Sequence, residues 1–462
     1  MKIRSMNFFV TMLLTCALFE NINASLDTTF NPSGTPPGTV ITPILAQPPT
    51  GPASEIYGVA IQNDQKIVAA GALETNSVKF ALARYNTDGS LDTLFGTDGI
   101  VTTPFTNRIV ARAQAVSIDN SGKIVAAGFA FHAGTYYIAV ARYKIDGSLD
   151  ATFGGNNGDL AGTVTTLIGS STTNFAYALI IQGDNIIVGG FTNIAGTNNF
   201  ALARYLGTGQ SAGTLDTSFG GSSTGWVTTP VDSNGSIVRS LVLQGNKIVA
   251  VGSAADSSNT YFGLARYTAD GVLDDSFGDN GIVTTSGFSG TGAHGAAVQS
   301  NGGIVVVGDY NNQISTFDFG VLARYTPDGT LDPTFGNPAT PGIYFATSLD
   351  DMGYKALVLD AQQNIITAGN TAITAGNYVG NFVVTGFTPN GTPNGFNVVT
   401  SLEQGSAAYA LAIQANGKIV LAGLAQPNQN NIVHYFALAR YVPPIITGRL
   451  SALTIAIQNK YG

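Results

Sequence analysis

Two kinds of hydrophobic pattern alternate along this chain, always in the same order. Gln114-Ala-Val-Ser-Ile-Asp119 interleaves apolar with small or polar residues, which predicts a strand with one open face. After the turn signal Asn120-Ser121-Gly122 comes Lys123-Ile-Val-Ala-Ala-Gly128, a continuous small-apolar run that predicts a strand buried on both faces. Tyr137 to Tyr143 predicts a third strand. Asp146-Gly147 then predicts a tight hairpin turn with positive φ at both central residues. Leu149 to Phe153, with the glycine-rich stretch on to Val164-Thr165-Thr166, supplies a fourth, outer strand.

This unit recurs. The buried runs end at Gly71, Gly128, Gly190, Gly252, Gly308, Gly369 and Gly423. The third strands end in Arg84-Tyr85, Arg142-Tyr143, Arg204-Tyr205, Arg266-Tyr267, Arg324-Tyr325 and Arg440-Tyr441, with a degenerate Gly386-Phe387 in the sixth copy. The period is about 59 residues, in the range of stacked or radial arrays. Four short antiparallel strands per repeat, arranged radially, predict an all-β, seven-bladed β-propeller. The last repeat stops at Tyr441 without its Ser-Leu-Asp-x-x-Phe segment, and that segment stands at the other end as Ser25-Leu26-Asp27-Thr28-Thr29-Phe30. The N-terminal strand is therefore expected to complete the outer edge of the last blade and close the ring, with Arg440 against Asp27. An open or eight-membered array using the tail is the alternative, since Leu453 to Gln458 echoes a first strand. The domain map reads 1–24 signal segment, 25–443 propeller and 444–462 tail.

The phrases ARYNTDGSLDTLFGTDGIVTT and SIDNSGKIVAAG resemble the delta-60 repeat, a bacterial family regarded as propeller-forming. The likeness covers nearly all of residues 25–443. It implies the fold and brings no catalytic residues with it.

Composition narrows the function classes. Charged residues are 10% of the chain, against roughly 25% in typical domains. The net charge of -8 is spread thinly, with no Lys/Arg cluster, so nucleic-acid binding has no electrostatic basis. Lys2 and Arg4, the apolar stretch Phe8 to Phe19 and the small residue Ala24 read as a cleavable secretory signal. This places the protein outside the cytoplasm: secreted, periplasmic or at the cell surface. The single cysteine, Cys16, lies in that segment, so the mature chain is expected to have no disulfide or thiolate metal site. Leu13-Leu14-Thr15-Cys16 loosely resembles a lipoprotein box, with Thr15 departing from the usual small residue, so lipid anchoring is a second possibility. No later apolar run is long enough for a membrane span.

Repeated charges have a structural explanation. Arg84 and Asp92, Arg142 and Asp150, Arg204 and Asp216, Arg266 and Asp274, and Arg324 and Asp332 face each other across one hairpin. Where Arg is lost, at Gly386, Asp is lost too, at Asn394, and joint loss argues for pairing. Exposed pairs of this kind contribute about 0.2–1 kcal/mol. Blade six, lacking the pair, is expected to be the loosest. His132, His294 and His434 stand in three different contexts, and neither Gly154–Asp159 nor Asp350-Asp351 makes a persuasive cation loop. No metal, cofactor or catalytic constellation is expected.

One position varies where the frame does not. Five residues before the end of each first strand stand Tyr57, Gln114, Tyr177, Arg239, His294, Lys355 and Tyr409, none of them aliphatic. In a propeller these would ring one mouth of the central channel, with Arg239, His294 and Lys355 forming a cationic arc that an anion from solvent or ligand would neutralise. They are the candidate ligand-binding residues; the bland alternative is that they cap the blades with their polar tips in water. Three functions fit this pattern: non-catalytic binding of an extracellular glycan or protein, an enzyme acting on an anionic polysaccharide, or a structural surface protein.

Overall fold

A computed structural model describes residues 25–44, 53–155, 159–286, 289–311, 318–347, 352–371, 380–426 and 433–443. The expected signal segment with Cys16, the Asp350-Asp351 pair and the tail lie outside the described residues. The described residues contain strands, turns and loops but no helix, and hence no helix long and apolar enough to cross a membrane.

Among the described residues the strands form four four-stranded antiparallel sheets, an eight-stranded sheet in which two four-stranded units are joined by a single parallel bridge between Val78 and Val110, a five-stranded sheet that takes in Ser25–Leu26, and a two-stranded ladder. In the second unit Val110–Ile118 pairs with Ile124–His132, which pairs with Thr135–Tyr143, which pairs with Thr163–Thr166. The buried run lies in the second strand, as its lack of a polar face requires: Ile124 to Ala127 are at most 1% exposed. The apolar clusters lie between units. One joins Ile67, Ala69 and Tyr85 of the first to Val420, Ala422 and Leu438 of the last. Each first strand lies against the first strand of the next unit, and Ser406–Ile413 of the last lies against Ser54–Ile61 of the first.

In every unit but the sixth, the Arg-Tyr pair links the unit to both neighbours. Arg Nε donates to the Asp carboxylate of its own hairpin at 2.7 Å (Arg84–Asp92), 2.8 Å (Arg142–Asp150), 2.9 Å (Arg204–Asp216), 2.6 Å (Arg266–Asp274) and 2.9 Å (Arg324–Asp332). Arg Nη1 donates to a turn carbonyl of the following unit: Ile145, Gly207, Ala269, Pro327 and Pro389 in turn. The guanidinium face covers the Phe of Ser-Leu-Asp-x-x-Phe, 4.5 Å from Phe95 in the first unit. Tyr reaches the other way, to an outer-strand Thr of the preceding unit, as Tyr143 does to Thr103 at 2.8 Å. These arginines are buried, 2% to 5% exposed. The expected surface pair is thus an internal latch between units. Lysines reinforce it: Lys123 also meets Asp150, at 2.8 Å.

The junction between the last and first units uses the same contacts. Arg440 Nε donates to Asp27 at 2.7 Å and its Nη1 to Thr87 O at 2.6 Å, and Tyr85 bonds Thr42 at 2.9 Å. The N-terminal segment contributes more than the sequence indicated. Ser25–Leu26 pairs only with Val442 and Tyr441, whereas Thr39–Thr42 pairs with Ala439 to Phe436 and is the main outer strand.

One local expectation is corrected. In the Asp-Gly turns that follow the third strands only glycine takes positive φ (Gly89, 90°), while Asp88 accepts a hydrogen bond from Ser90 N at 2.9 Å. Glycine is further required there because a Cβ would press into Phe30 of the preceding unit, at 3.0 Å. Unit six keeps the same ladder without the latch: Asn397 to Thr400 and Pro393 pair with the third strand, as Ile100 to Thr103 and Leu91 do in unit one.

Arg440→Ala should cost about 3–5 kcal/mol, the range for breaking a buried pair, measured by denaturant unfolding. A loss under about 1 kcal/mol, the surface-pair range, would show that this junction does not depend on the latch. Burial alone would raise Asp27, but hydrogen bonds from Lys418 and Thr29 and the Arg440 charge hold it down at about 2. Its contribution should be complete above about pH 4, the ordinary carboxylate range. It should be lost as pH falls through about 2.

Candidate functional site

Every candidate ring residue is a β-bulge. The register between first and second strands slips at Tyr57, Gln114, Tyr177, Arg239, His294, Lys355 and Tyr409, each the unpaired extra residue. A bulge bends its strand and re-aims the side chain it carries. The bend also explains the glycine that ends each buried run. A Cβ at Gly71, Gly128, Gly190, Gly252, Gly308 or Gly423 would collide with a backbone carbonyl of the bulged strand (Glu55, Arg112, Phe175, Ile237, Gly292 and Ala407 respectively). The most regular feature of the sequence therefore enforces the level at which its most variable residues sit. All seven are half-buried.

Neighbouring units bring these side chains together in groups. Tyr57 and Tyr409 stack with ring centroids 5.7 Å apart. Arg239 lies over the Tyr177 ring, 4.3 Å from its centroid. Lys355 Nζ stands 3.3 Å from His294 Nε2. Gln114 makes no side-chain hydrogen bond to other described residues. The arc from Arg239 to Lys355 carries its own anion. Asp309, 2% exposed, accepts from Lys355 at 2.6 Å and lies 3.1 Å from His294 Nε2. The expectation that an outside anion alone neutralises this arc is corrected accordingly.

Sequence reasoning passed over Asp309, although the frame marks it. The residue after the repeat glycine is Ala72, Phe129, Phe191, Ser253, Asp309, Asn370 or Leu424, and only one is charged. A second group lies beside Tyr57. Its hydroxyl donates to Glu55, Glu55 Oε1 is 2.7 Å from His434 Nδ1 of the last unit, and Arg112 pairs with Glu74. Glu55 and Arg112 stand two positions before the bulge in their own strands.

Electrostatics keep the site's acids and bases in fixed states. Burial pushes His294 below the ordinary histidine value, and Lys355 and Arg239 push the same way against Asp309. Burial would raise Asp309, but His294 and Lys355 hold it well below the carboxylate range. Burial raises Tyr177 despite Arg239, and burial with the Glu55 charge pushes Tyr409 up to about 12. The described residues contain no group of three or more His, Cys, Asp or Glu that could hold a metal ion. Three surface concavities lie elsewhere; the one holding Leu94, Asp98 and Asp146 sits between the outer turns of units one and two. They gather turn backbone and scattered side chains, whereas the bulge level gathers polar side chains from several units, so the bulge level is the better candidate.

Residues 62–95, 120–153, 246–277 and 299–335 match a family described as "Domain of unknown function (DUF5122) beta-propeller". Each match runs from the end of a first strand to the Phe of Ser-Leu-Asp-x-x-Phe or close to it, in units one, two, four and five. These matches support a β-propeller repeat family of unknown function. No curated protein matches the chain. Among solved structures, the polysaccharide lyase Uly1 is similar at 11% identity over 86% of this chain and 90% of its own, with a TM-score of 0.45. Sqt1 from Chaetomium thermophilum is similar at 10% identity over 81% of this chain and 80% of its own, with a TM-score of 0.42. A thermostable family-43 glycoside hydrolase is similar at 10% identity over 57% of this chain and 88% of its own, with a TM-score of 0.32.

Asp309→Asn should lower stability by about 3–5 kcal/mol, because Lys355 then stays half-buried without its carboxylate. In the unaltered protein the His294 ring should titrate below about 6.5, the ordinary value. Its folded pKa is depressed, so the protein should lose stability as pH falls through that value. An NMR titration placing His294 at or above its ordinary value would contradict this electrostatic account.

Proposed function

We propose that the chain is a closed seven-bladed β-propeller of the delta-60 type that binds an extracellular glycan or protein at one mouth of its central channel, without catalysing a reaction. The observation that carries this is the bulge itself: seven half-buried, non-aliphatic side chains, each the extra residue of its first strand, six of them opposite a glycine that leaves room for the bent backbone. Closure is supported by the Arg440, Tyr85 and first-strand contacts, which repeat at the last junction the contacts of the others. Secretion or attachment at the envelope is supported by the basic and apolar N-terminal segment, and lipid attachment at Cys16 is the variant of that proposal.

Binding is favoured over catalysis because the site's titratable groups are held in their resting forms. The tyrosines stay protonated, and His294 is engaged by Asp309 and Lys355. A general base needs a pKa near the working pH and a free lone pair toward substrate.

A glycan array probed with the mature protein, followed by titration of the best ligand, tests this proposal. Gln114→Ala and Tyr409→Phe should each weaken binding about threefold to tenfold, the effect of losing one hydrogen bond. Binding untouched by both changes would move the site to another surface. New reducing or unsaturated ends generated from a bound polysaccharide would replace this proposal with the enzymatic one.

A further inference from the structure

Along the arc from Arg239 to Lys355 the charges do not cancel. Lys355 is matched by Asp309. His294 is driven toward its neutral form by burial. Arg239 has no carboxylate within ion-pairing distance among the described residues. Its guanidinium carbon lies 4.3 Å from the Tyr177 ring centroid, and the Tyr177 hydroxyl can take only part of its five N–H donors. Tyr177 is itself fixed, stacked 6.0 Å from Phe175 at an interplanar angle of 10°. Phe175 is in turn packed on Phe191 at 5.0 Å and Phe129 at 4.6 Å. A cation held this way loses little rotamer freedom on binding, and a planar guanidinium edge matches a carboxylate in two parallel hydrogen bonds.

The other arc carries different chemistry. The Gln114 amide and the Tyr409 hydroxyl make no hydrogen bond to described residues, and both side chains are half-buried. Such groups recognise hydroxyls. They offer no open strand edge of the kind that captures an extended peptide by its backbone. An unmatched cation on one arc, facing hydrogen-bonding groups whose neighbouring ions Glu55 and Arg112 already have partners in His434 and Glu74, calls for a ligand rich in hydroxyls that carries single negative charges.

We infer that the channel mouth recognises a carboxylate-bearing glycan, with Arg239 binding the carboxylate and the Gln114–Tyr409 arc binding sugar hydroxyls. This inference rests on the proposed binding function and adds the class of ligand. The Asp309–Lys355 pair sharpens the selection. It leaves Arg239 as the one cation of the Arg239–His294–Lys355 arc without a carboxylate partner among the described residues.

The test compares three probes by calorimetric titration at low and physiological salt: a short oligogalacturonate, the same oligomer fully methyl-esterified, and a poly-glutamate peptide. Wild type should bind the acid at least about tenfold more tightly than the ester, and the difference should shrink as salt rises. Arg239→Gln should abolish the preference for the acid over the ester. Arg239→Lys should keep part of the preference, which guards against a variant that simply fails to fold. Equal binding of acid and ester by wild type, a preference surviving in Arg239→Gln, or no binding of either oligomer would overturn the inference. Poly-glutamate binding as tightly as the acid would overturn it in favour of an acidic protein segment. The proposed binding function stands apart from these outcomes: it fails only if neutral glycans and proteins also leave Gln114 and Tyr409 without effect.

Discussion

The structure depends on a buried guanidinium shared between two blades. Each latch arginine spends Nε on its own hairpin's aspartate, Nη1 on the next blade's turn carbonyl, and its flat face on a phenylalanine. Lysine could supply the charge but neither the fork nor the face. A buried ion pair seldom adds much net stability, because desolvating both partners offsets most of their attraction. Cohesion comes from the apolar clusters between blades, whose small residues Ala, Val and Ile would slide as readily as they pack. The latch opposes that sliding. It is satisfied only when the neighbouring turn lies at one distance and height, so each blade sets the position of the next. The tyrosine hydroxyl, reaching back to the previous blade, adds a second fixed point.

A fixed blade spacing makes the bulge level meaningful. An extra residue in a strand normally disturbs a sheet locally, and here it is repeated at one register in every first strand. The glycine opposite each bulge leaves room for the bent backbone. Because Arg, Tyr and Gly absorb the architectural demands, the bulge residue itself is free to vary. Tyr, Gln, Arg, His and Lys all occur at the position without any change of fold around it. Scaffold and candidate recognition surface are therefore coded by different residues in the same strand pair.

The strand order, the Arg–Asp register and the set of half-buried variable residues were legible in the sequence, since each depends on what recurs within about one period. What could not be read was contact across the period. That the arginine would reach the following blade, and so lie buried, depends on a carbonyl roughly a full repeat away with no side-chain signature. Thr39–Thr42 escaped notice for a related reason: the familiar Ser-Leu-Asp phrase lies upstream of it and drew attention to the two-residue pairing at Ser25. Asp309 was visible in principle, as the one charged residue in its column. The columns compared were those of the first strand, and Asp309 enters the site from the second.

That last point bears on how such a ring can acquire specificity. If only the bulge column contributed, changing Lys355 to suit a ligand would leave a bare ammonium in a half-buried setting, at a cost that grows as water is excluded. Asp309 removes most of that cost from the neighbouring blade. The same arrangement appears at the last junction, where Glu55, Tyr57 and His434 from the first and last blades satisfy one another. A charged or strongly polar ring residue is thus held by a partner that the adjacent blade supplies, and the latch fixes how far away that blade stands. Arg239 departs from this rule. Its support is aromatic instead of anionic, which orients the cation without neutralising it. A charge oriented yet left unbalanced suits a bound group better than the packing of the blades.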